Sequence, residues 1–475
     1  MSAQLKRVEA GVAEIAPARQ ATSKGDGSTT EGSDELGFYE LTQLGLAQRF
    51  VRDHSQDAGY ADEWGWMVFD GRVWVQDDHA AQRLMNATAR GLYHEAADEP
   101  DDKRRKDIID FARKCQQASQ IQGALWFARA LLNVRTDLFD QEDFIFNVAN
   151  GAIDLRTGEF GPHRREHYLT MASRVEYDPQ ADCPVLKRTL EIVLPEPETR
   201  HFHHKAWGYS ATGSTKEQCL FVPYGIGSNG KSTVVSTMGK VLGDYAVPAR
   251  QETISASRSN GIPNEIAGWA GRRVATFSET IEGGRINEPL VKDLTGGDRS
   301  AARFLCREFF YFVAKFKAWM PGNHKPQIRG TDDGIWRRIM LIPFTVQIPD
   351  EQKDRDLSAK LEAELPGVLN WIVAGCLAWQ REGLNPPPAV RAAVDAYRSE
   401  MDVLGAFFDE CCLIGPGSTA SAKDLFGAYC DWCEDSGERA LSQRRFGQAL
   451  TERGFEKTKP KGYVYHGIGL RREWL

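Results

Sequence analysis

Residues 220–233 read Leu220-Phe221-Val222-Pro223-Tyr224-Gly225-Ile226-Gly227-Ser228-Asn229-Gly230-Lys231-Ser232-Thr233. The apolar run Leu220–Val222 predicts a buried strand, and the residues from Ser232 to Val241 can form a helix. Strand, Gly-x-x-x-x-Gly-Lys-Ser and helix, in that order, is the setting of a phosphate-binding loop. The residue types follow from the chemistry. Gly225, Gly227 and Gly230 let the backbone wrap closely enough for its N–H groups to reach phosphate oxygens. The first turn of the following helix adds unpaired N–H groups and a partial positive charge. Lys231 then reaches the β- and γ-phosphates, and the Ser232 hydroxyl can ligate Mg²⁺. The nucleotide-binding candidates are therefore the continuous run from Gly225 to Thr233, with ATP and Mg²⁺ as the cofactors.

Bulk properties bound what surrounds this loop. A chain of 475 residues holds about two to four domains. A hydrophobic fraction of 41% supplies real cores, and a net charge of −7 excludes a uniformly basic DNA-coating protein. Contacts to nucleic acid must then come from local basic patches. No stretch has the pattern of a signal peptide or of a long uncharged membrane span, so the expected location is the cytoplasm, with no membrane partner. The nine cysteines are odd in number and scattered, which fits reduced thiols. Cys411-Cys412 with Cys430 and Cys433 could be read as four zinc ligands, but adjacent cysteines make a poor half-site and Asp431-Trp432 lies in an aromatic helical run.

Residues 1–36 read as a disordered tail, rich in Ala, Ser, Thr, Gly and charge. Gly37–His54 looks helical, with Leu41, Leu44, Ala47 and Phe50 on one face. Trp64 to Val75 predicts a hairpin around Asp70-Gly71. His79 to about Leu132 looks helical, with the charge cluster Asp101–Lys106 on a connection or exposed face; a solvated face is the plainer reading of that cluster, a DNA patch the alternative. A second hairpin is expected at Asn150-Gly151, with a further turn at Thr157-Gly158. Helices around Pro184–Leu194 and Glu198–Tyr209 lead into the Walker strand. Residues 37–195 show no Asp-x-Asp pair on one strand that would hold the metals of a nucleotidyl transferase, which argues against primer synthesis by this stretch.

Beyond the loop, Val274–Phe277 reads as a strand that ends at Ser278-Glu279. P-loop enzymes place an acid there to hold Mg²⁺ or activate the attacking water. Ala301 to Phe310 reads as two strands around a charged tip near Arg307. Phe316 to Met320 is another strand, leading to Gly322-Asn323-His324-Lys325-Pro326. A polar Asn leaving a central strand beside the nucleotide is what a γ-phosphate sensor looks like; standing alone it would read as an ordinary turn. Arg337-Arg338 precede the strand Met340–Ile342, where an arginine finger would be placed, although two arginines before a strand are usually surface charge.

This ordered set resembles the helicase part of phage and plasmid primase-helicases, the family shared with the satellite-phage replication protein and the poxvirus primase-helicase. The resemblance covers about residues 40–475. It rests on Asn150–Gly158, Gly208–Gly213, Gly225–Thr233, Ser278-Glu279, Lys292–Asp298, Asn323–Pro326 and Trp336–Ile339. It implies an α/β P-loop core of the AAA+ superfamily 3 helicase class, with an α+β N-terminal domain and a C-terminal winged-helix domain. The implied domains are 37–195, 196–400 with a helical lid, and 401–475. The implied roles are phosphates and Mg²⁺ for Lys231 and Ser232, Walker B and Mg²⁺ for Glu279, sensor for Asn323, and finger for Arg338 ahead of Arg337. Lys292, Arg303 and Arg307 would meet single-stranded DNA inside a hexameric ring. Many relatives carry two acids at the end of the Walker B strand, whereas Ser278 stands here, so the division of labour at Mg²⁺ is open. No primase domain precedes residue 37, so primase activity is not implied and a separate primase is a conceivable partner.

The last section has its own pattern. Helical runs at Leu425–Trp432 and Ser442–Leu450 are followed by a two-stranded wing from Gly454 to Leu470. In a winged helix, Ser442–Arg453 would be the recognition helix, with Arg444, Arg445, Lys457, Lys459 and Lys461 facing DNA. A small structural or oligomer-contact module is the alternative. Three functions fit the whole: an ATP-driven DNA helicase of a phage, prophage or plasmid acting on single-stranded and forked DNA in a bacterial cytoplasm, 3′ to 5′ by family analogy; a DNA-binding ATPase that loads or remodels replication proteins without unwinding; and a nucleotide-regulated scaffold.

Overall fold

The computed structural model describes residues 39–255, 264–277, 284–302, 310–328, 332–459, 463–471 and 474. Two compact units emerge, residues 1–154 with 159–176, and residues 155–158 with 177–475. The expected tail, residues 1–36, lies outside the described residues.

In the first unit, α1 spans Gln43–His54 and starts later than expected because the Thr42 side chain accepts from Gly45 N (3.1 Å) and caps it. Its buried stripe is Leu46, Ala47 and Phe50, while Leu44 is exposed. The long helical stretch beyond it is three helices: α2 Asp78–Asp98, α3 Asp102–Lys114 and α4 Ala118–Leu131. Pro100 ends the first, and Asp101 accepts from Arg104 N (2.7 Å) to start the next. The Asp101–Lys106 cluster sits at that start, with Arg104 paired to Glu99 and Arg105 to Asp102. Strands β1 Ala58–Ala61, β2 Gly65–Phe69 and β3 Trp74–Gln76 form an antiparallel sheet. Asp70 shapes the β2–β3 turn by accepting from Arg72 N and Val73 N (both 2.8 Å). A second sheet, β4 Ile145–Val148, β5 Gly151–Asp154 and β6 Glu159–Gly161, has Val148 opposite Gly151. Its two-residue turn is therefore Ala149-Asn150, one place before the expected dipeptide.

The second unit begins with α5 Pro184–Val193 and α6 Pro197–Ser210. Both Val185 N and Leu186 N donate to the Glu364 carboxylate, which ties the start of α5 to residues far down the same unit. Its sheet comprises β7 Leu220–Tyr224, β8 Ala246–Ala249, β9 Val274–Phe277, β12 Lys317–Trp319 and β13 Ile339–Pro343. All five are parallel, in the order β13-β7-β12-β9-β8. Helix α7 is Lys231–Leu242 and α8 is Glu288–Gly296. Strands β10 Arg299–Ala302 and β11 Phe310–Val313 form the expected antiparallel hairpin, whose tip lies outside the described residues. After the short helix Leu357–Ala363, α9 Leu365–Glu382 crosses α6 closely. A Cβ on Gly208 would come within 2.0 Å of Cys376 N, and one on Gly375 within 2.4 Å of His204 O. The Gly208–Gly213 motif thus has a packing role. The same segment receives Arg273 on Ala211 O (2.8 Å) and buried Lys317 on Thr212 O. Indole stacking of Trp207 on Trp319 at 3.7 Å seats β12 above it.

Helix α10 Pro388–Met401 leads into a C-terminal module of α11 Val403–Cys411, β14 Cys412–Ser421, α12 Ala422–Asp435, α13 Gln443–Glu452, β15 Glu456–Thr458 and β16 Val464–Leu470. Its antiparallel sheet has the order β14-β16-β15. Phe407, Tyr429, Trp432, Phe446 and Tyr465 fill its core. Cys411 and Cys412 lie at the α11–β14 junction, Cys430 and Cys433 on α12, and burial raises all four thiols above their ordinary value.

Candidate nucleotide-binding site

Strand β7 ends at Tyr224 and the chain turns through Gly225–Gly230 into α7, as the sequence predicts. Gly230 takes φ +76° immediately before the helix, and Ser228 takes φ +64°. Ser228 is held there from both sides, its carbonyl accepting from Ile348 N and its hydroxyl from Lys353 Nζ (both 2.9 Å). Gly225 is required by proximity, since a Cβ there would come within 2.0 Å of Phe344 O. Asn229 Nδ2 donates to that same carbonyl at 3.1 Å. The loop is therefore fixed against the end of β13, the neighbouring strand.

Lys231 is 3% exposed and lies over the loop. Its ammonium donates to Gly225 O at 2.6 Å, Asn229 Oδ1 at 2.8 Å and Asn323 Oδ1 at 3.2 Å. Asn323 follows β12, which lies beside β7, so both residues leave the same edge of the sheet at the carboxyl ends of their strands. That edge is where open parallel sheets bind ligands. Ser232 is exposed in the first turn of α7, where a hydroxyl can reach a metal bound to phosphate. Ile226, Gly227 and Ser228 are also open to solvent or partly so, whereas Asn229 is buried. Ser278 and Glu279 lie outside the described residues; β9 ends just before them, at Phe277.

The two arginines differ. Arg338 is 7% exposed, with Nε donating to Thr295 Oγ1 (3.0 Å) and NH1 to Gly334 O. Burial, then the neighbouring charge of Arg337, lower its pKa. Arg337 is exposed and donates to Gln218 Oε1 (2.9 Å). Because Leu220 N donates to Arg338 O (2.7 Å), the pair sits where β7 begins, at the edge opposite the phosphate loop. Five residues of strand separate the two edges by about 16 Å.

Among the described candidate DNA contacts, Arg444 and Lys457 line one groove of the C-terminal module. Lys292 pairs with Asp332 (2.8 Å). Arg303, Arg307 and Lys461 lie outside the described residues. Arg444 and Arg445 are exposed on α13, and Lys457 and Lys459 on and just beyond β15, where both ammonium groups lie over the Tyr463 ring at 4.1 and 5.2 Å. What the sequence reading missed is the support behind Asn323: Lys325 pairs with Glu400 at 2.6 Å, a partner 75 residues away that no local pattern signals.

The fold and the site are consistent with a P-loop-like α/β core, and two family models match the chain on either side of it. Residues 47–195 match the family described as D5 N terminal like, and residues 399–468 the one described as Poxvirus D5 protein-like. The chain carries both of these primase-helicase family domains. Similar proteins include "Putative helicase L207/L206" of Acanthamoeba polyphaga mimivirus, 24% identical, covering 77% of this chain and 43% of that protein. "Putative helicase 022R" of Frog virus 3 is 28% identical over 59% of this chain and 31% of its own length. "Putative primase C962R" of African swine fever virus is 23% identical over 64% and 36%. The chain thus spans less than half the length of these relatives. Among solved structures, the apo form of the NrS-1 C-terminal region gives a TM-score of 0.47 at 9% identity, covering 87% of this chain and 83% of that one. Among the described residues, no single helix is long and apolar enough to cross a membrane; a pair bent by 77°, Asp350–Ala363 with Leu365–Glu382, passes by length and composition only.

Proposed function

We propose that this chain is an ATP-dependent DNA helicase of the superfamily 3 AAA+ class that works in genome replication, as a ring on single-stranded DNA. The observation that carries the reading is the convergence of Lys231 and Asn323 at the carboxyl edge of a parallel sheet. Lys231, Asn229 and the α7 N-terminus would hold the triphosphate, and Ser232 with Glu279 the Mg²⁺. The metal supplies charge neutralisation at the phosphates when bound. Asn323 would orient toward the γ-phosphoryl group as Lys231 exchanges its protein acceptors for phosphate oxygens. The relatives named helicases support the reaction class, and their viral sources support a replication element; a phage, prophage or plasmid in a bacterial cytoplasm gains no support from them.

The arginine pair supports a ring, preferably a hexamer. At the far edge of its own sheet, neither arginine serves its own loop, so a finger must act on a neighbour. Between the two, exposure favours Arg337, reversing the order expected from the resemblance, because Arg338 is committed to Thr295 and Gly334. The C-terminal module has the helix and strand order of a winged helix, and its α13 and wing would meet DNA through Arg444, Arg445, Lys457, Lys459 and Lys461. Lys292, Arg303 and Arg307 would serve the channel strand, with 3′ to 5′ polarity and a separate primase as further parts of the proposal.

The test is ATP turnover with and without single-stranded DNA. The account requires turnover that DNA stimulates and that Lys231→Ala abolishes; turnover persisting in Lys231→Ala would place the nucleotide elsewhere.

A further inference from the structure

Two residues beyond Asn323, Lys325 donates to both carboxylate oxygens of Glu400, at 2.8 and 2.6 Å. Its ammonium lies between the ring of Tyr224 (5.0 Å), which closes the strand entering the phosphate loop, and that of Tyr397 (5.4 Å). Tyr397 and Glu400 belong to the last turns of α10. Fully buried Tyr397 donates its hydroxyl to Pro326 O, and its ring meets Trp336 edge-on at 5.2 Å. Trp336 immediately precedes Arg337. Arg398 adds a pair to Asp333 at 2.7 Å in the same short helix. One helix end thus supports both the turn that carries Asn323 and the turn that carries Arg337.

That helix end is also the entry to the C-terminal module. Asp402, one residue past α10, accepts from Gly405 N (2.9 Å) to cap α11 and pairs with Arg453 at the end of α13. A shift of the module therefore reaches Glu400 with almost no intervening chain. We infer that Lys325 and Glu400 are a positioning pair for ATP turnover: they hold Asn323 in register with Lys231 only while the last turn of α10, and with it the C-terminal module, is seated. The inference rests on the ATPase reading proposed above.

The Glu400 side chain is 53% exposed and that of Lys325 14%; on the open, glutamate side the pair contributes little to stability, whereas a carboxylate at position 325 would lie against two rings. A displacement of about 1 Å at a group that orients a reacting phosphoryl can cost on the order of a hundredfold in rate. Loss of the pair from the Glu400 side should therefore appear in turnover and leave the melting temperature where it is.

The test uses the full chain with Lys325→Glu, Glu400→Lys, both together, and Glu400→Gln as the variant least disturbing to folding. Turnover, affinity for a fluorescent ATP analogue and thermal melting are measured for each. Each single change should lower kcat by about tenfold or more; for the two Glu400 changes analogue affinity and melting should stay near wild type, and the double exchange should recover most of the loss. Singles that turn over like wild type, affinity that falls in step with kcat, or a double exchange no better than its folded parents would each overturn the inference. If the wild-type chain itself hydrolyses no ATP, the functional reading falls and takes the inference with it. A wild-type ATPase with inert exchanges removes the inference alone.

Discussion

Lys231 Nζ lies 3.2 Å from Asn323 Oδ1, although 92 residues separate them in the chain. The contact exists because β7 and β12 are neighbours and parallel, so their ends deliver the two side chains to one point. The pair should separate binding from chemistry. Asn323→Ala should lose about 10² to 10³ in kcat, the scale for a single oriented polar group at a developing charge, while still binding an ATP analogue. Lys231→Ala should lose both. Steady-state turnover beside analogue binding decides it, and equal loss of affinity in both variants would count against a sensor role.

The crossing of α6 and α9 makes a stability prediction. Gly208→Ala places a Cβ 2.0 Å from backbone that cannot move aside, so it should cost at least the 1–3 kcal/mol typical of overpacking. Gly427→Ala, on an exposed position of α12 with nothing within 4 Å, should be neutral or stabilise by about 0.5–1 kcal/mol. Thermal melts of the two variants should move in opposite directions or, at the least, differ sharply.

Acid sensitivity follows from two histidines beneath the sheet. His203 is fully buried among Trp207, Trp319, Phe344 and Trp371, and burial lowers its pKa to about 3. Trp207 Nε1 donates to its Nε2 (3.0 Å), so the proton sits on Nδ1, which has no partner among the described residues. His204, stacked on Trp371, is lowered by burial to about 4. Both are held neutral when folded, so protonation favours the unfolded chain. Stability should be full above about pH 6.5 and fall below it, by about 1.4 kcal/mol per pH unit per group until each folded value is reached. Denaturant titrations between pH 7 and 5 measure the slope, and His204→Gln should make it shallower.

Arginine in trans is tested by mixing. Lys231→Ala and Arg337→Ala should each be almost inactive, since a finger is worth about 10³ to 10⁵ in rate. Mixed rings contain interfaces with both groups intact, so turnover should partly return. No recovery while subunits demonstrably exchange would remove Arg337, and Arg338 would have to leave its bonds to Thr295 and Gly334 to take the role.

How far the sequence discloses this molecule depends on how local each feature is. The phosphate loop is legible because Gly225–Ser232 states its own conformation, and the hairpins are legible at Asp70-Gly71 and near Asn150-Gly151 for the same reason. Of the face expected on α1, Ala47 and Phe50 are buried and Leu44 is exposed, and the helix begins only after Leu41 because Thr42 caps it. Arg338 looked like a finger because burial is not written beside a residue; it depends on Thr295 and Gly334 closing over it. The support of Asn323 by Lys325, Glu400 and Tyr397 joins segments 75 residues apart, and no periodicity or motif connects them.

The central claim is that ATP turnover at Lys231 separates DNA strands. Strand displacement on a labelled forked duplex, followed for the wild-type chain and Lys231→Ala with ATP and with a non-hydrolysable analogue, tests it most directly. The account predicts displacement by the wild type with ATP alone, and none by Lys231→Ala or with the analogue. A wild-type chain that hydrolyses ATP in response to DNA and leaves the fork paired would contradict it, and would point to an ATPase that remodels replication proteins without unwinding.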